Sequence, residues 1–191
     1  CEDIALMRTI PGMVVISPSD DTEARAAVKA AIDYKGPVYL RFGRLAVPVF
    51  NDPATYHFEM GKGVTLREGG DLTIIANGLM VWESLKAAEE LEKSGVSARV
   101  INIHTIKPLD AEIVRKAAAE TGKILTVEEH NVIGGLGSAV CDEVCASGIP
   151  CWGAKIGVQD VYGHSGPAAD LLREFGLCAD NIVSQAKALL G

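Results

Sequence analysis

A lone strand–helix–strand unit fills residues 1–48, and a unit of that size cannot enclose a core. Met13-Val14-Val15-Ile16-Ser17 is a β-rich run after the Pro11-Gly12 turn signal. Asp20 with Glu23 three positions on makes a capping-box variant, and Ala24, Ala27, Val28, Ala31 and Ile32 recur on one helical face. Gly36-Pro37 ends that helix before the strand Val38-Tyr39-Leu40-Arg41-Phe42. A helical crossover between them predicts parallel strands. Because one such unit buries too little apolar area to be stable, residues 1–48 read as the C-terminal remnant of a larger domain. Cys1 in place of Met, and the uncapped helical run Glu2–Arg8, agree with that expectation. Active-site groups carried by the other strands of such a domain would lie outside this chain.

Residues 49–61 lack periodicity and contain Asn51-Asp52-Pro53, which marks them as an ordered linker. Residues 62–191 then alternate strand and helix. Strands are predicted near 72–76, 98–104, 123–128 and 152–157, with helices near 79–94, 109–121, 135–147, 166–175 and 179–190. This alternation predicts a three-layer αβα domain with a mainly parallel sheet. Gly61–Arg67 and Leu72–Ala76 flank Glu68-Gly69-Gly70-Asp71, a hairpin signal that predicts one antiparallel strand.

The net charge of −7 argues against a nucleic acid or anionic membrane as partner, and 48% apolar residues are ample for a core. No apolar run is long enough to span a bilayer, and no signal-peptide pattern is present, so a cytoplasmic protein is expected. Five cysteines suit no closed disulfide framework. They are expected to be buried and reduced, without bound metal, because Cys141 and Cys145 lack a His or Cys partner at zinc-site spacing.

In parallel sheets ligands bind beyond the carboxyl ends of strands. Four stretches fall there. Arg44 follows the second strand beside Gly43, where a guanidinium can fork onto a phosphate or carboxylate; spacing alone favours an interdomain salt bridge instead. Asn77-Gly78 opens a helix with small residues that suit close packing. Glu128-Glu129-His130 leads into Gly134-Gly135-Leu136-Gly137-Ser138, a glycine-rich helix start that departs from G-x-G-x-x-G because Val140 holds the last position. Finally, His164-Ser165 invites a nucleophile–base reading, yet Ser165 ahead of Pro167 better suits a helix N-cap. His104, closing the strand Arg99–Ile103, suits a surface or interface side chain as well as a catalyst.

Several of these runs carry a resemblance. Glu2-Asp3-Ile4-Ala5-Leu6-Met7-Arg8-Thr9-Ile10-Pro11 and Val14–Asp20 resemble the end of the pyrimidine-binding domain of transketolase-type thiamine diphosphate enzymes. Val100–Asp110 and Val127–Val140 resemble the C-terminal domain of that superfamily, which includes deoxyxylulose-phosphate synthase and the β-subunits of 2-oxoacid dehydrogenases. Asp160-Val161-Tyr162-Gly163-His164-Ser165-Gly166, with Phe175-Gly176-Leu177, is most similar to transketolase, especially the C-terminal subunit where transketolase is made as two chains.

The resemblance implies a parent enzyme that moves a two-carbon ketol unit between sugar phosphates in carbohydrate metabolism, as in the pentose phosphate pathway. It implies thiamine diphosphate and Mg2+ as the parent's cofactors, an N-terminal transketolase chain or domain as partner, and a homodimer. Arg44 matches the family arginine that holds the substrate phosphate. No other residue matches one that carries chemistry: the cofactor-activating glutamate would lie upstream of Glu2, and the diphosphate and its metal would be held elsewhere. The chain alone is therefore expected to be inactive and to bind no cofactor. The alternatives are a 2-oxoacid dehydrogenase β-subunit, a deoxyxylulose-phosphate synthase fragment, or a non-catalytic dimerisation module.

Overall fold

A computed structural model describes residues 1–191. Helix α1 (Asp3–Thr9), strand β1 (Val14–Ile16), helix α2 (Asp21–Asp33) and strand β2 (Val38–Leu40) come first. β1 and β2 are parallel, with Val15 opposite Tyr39, as a helical crossover requires. Asp20 caps α2 by accepting the Glu23 N–H at 2.9 Å. The reciprocal half of the capping box is displaced by one residue: the Glu23 carboxylate accepts from the Ser19 N–H at 2.6 Å. The face expected to be buried on α2 is only partly covered. Ala27 is fully buried, whereas Val28 is 38% and Ile32 77% exposed.

The remaining elements are β3 (Val64–Arg67), β4 (Leu72–Ala76), α3 (Met80–Lys93), β5 (Ala98–Asn102), β6 (Thr105–Lys107), α4 (Ala111–Thr121), β7 (Lys123–Asn131), α5 (Leu136–Ser147), β8 (Trp152–Val158), α6 (Ala168–Glu174) and α7 (Ala179–Leu190). The larger sheet has the order β3-β5-β4-β7-β8. β4, β5, β7 and β8 pair in parallel, as the strand–helix alternation predicts. Leu72, Ile74, Val100, Leu125 and Val127 join Met80 and Leu91 of α3 and Ile182 of α7 in one apolar layer. Ile75, Ile101 and Ile124 join Val114 of α4 and Leu136 of α5 in the other, which gives three layers.

Two pairings differ from expectation. β3 is the antiparallel strand, but its partner is β5, with Val64 opposite Asn102, and the 68–71 segment closes no hairpin. β4 is buried along its whole length and has β5 and β7 on its two edges, so no edge remains for β3. The segment passes instead across the start of β5, where a Cβ on Gly69 would lie 2.3 Å from the Ala98 carbonyl carbon. The second difference is β6, which leaves the larger sheet and pairs antiparallel with β1, with Ile16 opposite Thr105. The smaller sheet is therefore β2-β1-β6, and Ile4 and Val15 share an apolar cluster with Ile103, Ile106 and Leu136.

Candidate functional site

Arg44 sits in the bend after β2, exposed to solvent, and forms no ion pair. The interdomain salt bridge that spacing favours for it is made three residues earlier. Period-two alternation turns Tyr39 and Arg41 together toward α1. There the Tyr39 hydroxyl donates to Asp3 at 3.0 Å, and Arg41 Nε donates to the same carboxylate oxygen at 2.9 Å. The rest of the Arg41 fork reaches β7, at 3.2 Å to the Glu129 carboxylate and 2.9 Å to its carbonyl. Although burial opposes its charge, the two carboxylates hold the Arg41 guanidinium above its ordinary pKa. Arg41 is thus committed to structure, and Arg44 retains its donors.

Arg44 lines a pocket of about 480 Å3 between the β2 bend and the segment before α6. Leu45, Val158, Leu171 and Phe175 supply its apolar wall, and Glu129 and His164 stand at its polar rim. His164 Nε2 lies 2.9 Å from Glu174, which raises the imidazole pKa, and its ring packs 5.7 Å from Phe175. Its Nδ1 lies 3.3 Å from the Ser165 carbonyl, so both ring nitrogens are engaged by groups other than the Ser165 hydroxyl, and the pair is not arranged as nucleophile and base. Nor is Ser165 the cap of α6: the N-cap falls two residues later, at Pro167, with no side-chain cap.

The other candidates are buried. His104 is fully buried at the seam between the sheets, not at a surface. Its Nδ1 lies 2.9 Å from the Thr105 hydroxyl, its ring stacks 4.4 Å from Phe58, and burial lowers its pKa. Beside it, Glu23 accepts from the Ser19 hydroxyl at 2.7 Å, from Asn102 at 2.8 Å and from the Tyr56 hydroxyl. This buried cluster is not legible in the sequence because its members come from α2 and the turn before it, residues 49–61 and β5; Glu23 shows there only as a capping residue. Glu128 is fully buried as well and accepts the Leu136 and Gly137 N–H groups at 2.7 and 2.8 Å. It occupies the anion position of the α5 N-terminus. Asn77 is buried with its side-chain nitrogen unpartnered, and Gly78 takes a φ of +55° where a Cβ would meet Ser17 Oγ at 2.9 Å.

The cysteines depart from expectation. All five are free, but Cys1, Cys141 and Cys145 are exposed, and Cys151 and Cys178 are half-buried. No group of three or more His, Cys, Asp or Glu side chains converges as metal ligands. No helix is long and apolar enough to cross a membrane.

Comparison with known proteins agrees with this architecture. Residues 61–182 match the family "Transketolase, C-terminal domain", and residues 1–49 match "Transketolase, pyrimidine binding domain". A 6-deoxy-6-sulfo-D-fructose transketolase subunit of Clostridium sp. (strain MSTE9) is 45% identical over 97% of this chain and 57% of its own length. A 1-deoxy-D-xylulose-5-phosphate synthase of Heliobacterium modesticaldum is 39% identical over 98% of this chain but 29% of its own. A solved split-gene transketolase, described as an inactive β4 tetramer, superposes with a TM-score of 0.92 at 43% identity, covering 99% of this chain and 60% of that one. The chain thus spans under two thirds of the length of the transketolase relatives it matches.

A five-stranded αβα sheet fastened to a short parallel βαβ unit defines a class, the C-terminal modules of thiamine diphosphate-dependent enzymes. Within that class, the chain belongs to the transketolase family.

Proposed function

We propose that this chain is the C-terminal part of a transketolase whose complete form transfers a two-carbon ketol unit between sugar phosphates. Residues 1–48 form the end of its pyrimidine-binding domain, 49–61 the linker and 62–191 its C-terminal domain. An N-terminal transketolase chain or domain completes the enzyme, which works as a homodimer of such assemblies in cytoplasmic carbohydrate metabolism, including the pentose phosphate pathway. Thiamine diphosphate and Mg2+ are held by residues outside this chain, and the chain alone is inactive. The exposed Leu6, Val28, Ile32 and Phe42 of the smaller sheet and its helices support a partner packed there.

The observation that carries a role for this chain's own residues is the unpaired Arg44 guanidinium at a strand end, beside an Arg41 already saturated by Asp3 and Glu129. A planar fork at such a place suits the terminal phosphate of a sugar. It suits a sulfonate equally, and the Clostridium relative is described as acting on a sulfo-sugar. The synthase reading is weaker because the chain matches 29% of that relative against 57% of the transketolase subunit.

The test is ketol transfer by this chain, by the N-terminal chain and by their mixture, with thiamine diphosphate and magnesium. Activity confined to the mixture is expected. Activity of this chain alone, or pyruvate-dependent synthase activity without transfer between sugars, would overturn the proposal.

A further inference from the structure

Three of the five cysteines line one groove. Cys141 and Cys145 stand one helical turn apart on α5, and Cys151 lies opposite them at the entry to β8. The groove encloses about 500 Å3, with Val140, Val144 and Ile149 as apolar walls and Ile124 and Thr126 of β7 at its floor. The thiols are not equivalent. Cys141 and Cys145 open to solvent, whereas Cys151 is half-buried. Burial raises the Cys151 thiol pKa, and the neighbouring Cys141 adds to the shift. Cys1 lines the Arg44 pocket and Cys178 precedes α7, so neither joins the groove.

An exposed thiol beside a shielded one is the arrangement that thiol–disulfide exchange uses. The accessible sulfur attacks first as thiolate, and the shielded one acts on the product. We propose that this groove is a thiol–disulfide exchange site, in which Cys141 takes up a small-molecule disulfide and Cys151 resolves it. The Cys141 thiolate attacks one sulfur of the disulfide RSSR. The S–S bond breaks, one RS⁻ leaves, and a Cys141–S–S–R mixed disulfide remains. The Cys151 thiolate then attacks Cys141 Sγ and expels the second RS⁻. Two protein thiols are oxidised to one disulfide while RSSR is reduced to two RSH, so protons and electrons balance.

The cross-link would tie α5 to the start of β8. α5 also contacts the smaller sheet's side of the molecule, since Asp142 lies 3.6 Å from Arg8 of α1, and Arg8 donates to the Gly135 carbonyl at 3.0 Å. Oxidation in the groove thereby acts on the helix that joins the two sheets.

Oxidised glutathione is the probe. The full chain is incubated with it, quenched by alkylation, digested and mapped by mass spectrometry. A Cys141–Cys151 disulfide is expected in the unaltered chain, reversed by dithiothreitol, with Cys1 and Cys178 left outside any disulfide within the chain. Cys151→Ser should accumulate one glutathione on Cys141, Cys141→Ser should abolish both products, and Cys178→Ser should change neither. A disulfide that includes Cys1 or Cys178, no modification at all, or a Cys141–Cys145 bond would each overturn the assignment. Mapping of the unaltered chain needs no substitution, so a variant that fails to fold leaves the test intact.

Discussion

Arg41 and Glu129 meet across the seam between the two sheets, with the guanidinium 3.2 Å from the carboxylate and 2.9 Å from the Glu129 carbonyl. The same guanidinium holds Asp3 at 2.9 Å, so one side chain joins α1, β2 and β7. Arg41→Ala should leave the Asp3 and Glu129 groups without their charged partner. A loss of about 1.5–3 kcal/mol of unfolding free energy is expected, the range for hydrogen bonds to charged groups. Urea denaturation checks this, and Arg41→Lys should recover only part because an ammonium cannot fork to two elements. A loss within a few tenths of a kcal/mol would contradict the bridging role.

Arg44→Ala should do something different. In the reconstituted enzyme it should cost on the order of 1.5–3 kcal/mol of donor binding, seen mainly in KM for phosphorylated sugars. An unphosphorylated donor such as hydroxypyruvate should be less affected, and unfolding of the isolated chain should hardly change because Arg44 forms no ion pair. Equal loss for both donors would point to a structural Arg44.

Cofactor binding offers a third measurement. The isolated chain should bind thiamine diphosphate negligibly with magnesium present, and the mixture with an N-terminal chain should bind it. Titration calorimetry showing micromolar affinity for the isolated chain would contradict the proposed division of the site.

His104 gives a pH dependence of definite sign. Burial lowers its folded pKa, while Glu23 and Asp110 raise it less. The unfolded chain therefore takes up a proton near the ordinary value of about 6.5 that the folded chain refuses. The contribution is present above that pH and declines as the pH falls through it toward the folded pKa. The slope is at most about 1.4 kcal/mol per pH unit, the value for one proton. Glu128 acts oppositely: burial raises its folded pKa, so its term weakens stability as the pH rises through that folded value. Unfolding curves at a series of pH values should show the acid slope reduced in His104→Gln.

A glycine supplies the fifth test. A Cβ on Gly135 would lie 1.9 Å from Glu128 Oε2, and that carboxylate is fixed by the Leu136 and Gly137 N–H groups. Gly135→Ala should therefore destabilise by about 1–3 kcal/mol, as overpacking does. A drop in Tm without loss of helix signal is the expected readout.

The parallel sheet was legible because its signals are local. Leu72–Ala76 and Lys123–Val127 are apolar runs between helices with a 3.6-residue period, and such runs can pair only as a covered parallel sheet. What escaped reading depends on distant neighbours. Thr105-Ile106-Lys107 carries no periodicity of its own and becomes a strand only because β1 offers an open edge. β3 pairs with β5 because β4 has none left, which the turn residues at 68–71 cannot reveal. Ser165 resembles a cap, yet the helix takes its N-cap two residues later, at Pro167. Arg44 stood out by position and resemblance together, whereas the choice between Arg41 and Arg44 for the salt bridge needed coordinates. For the cysteines, helix spacing placed Cys141 and Cys145 together but could not tell a core face from a groove.

β6 gives the chain a property that its element order hides. Residues 105–107 lie beyond the linker yet complete the β2-β1-β6 sheet, while Lys107 Nζ donates to the Arg8 carbonyl at 2.9 Å. Residues 49–61 and strand β6 are therefore two separate connections between residues 1–48 and residues 62–191. A protease nick within 49–61 would cut the covalent thread and leave the sheet pairing, so the two pieces should still migrate as one body. Motion of residues 62–191 as a body is therefore expected to carry strand β1 and the bend bearing Arg44 along with it.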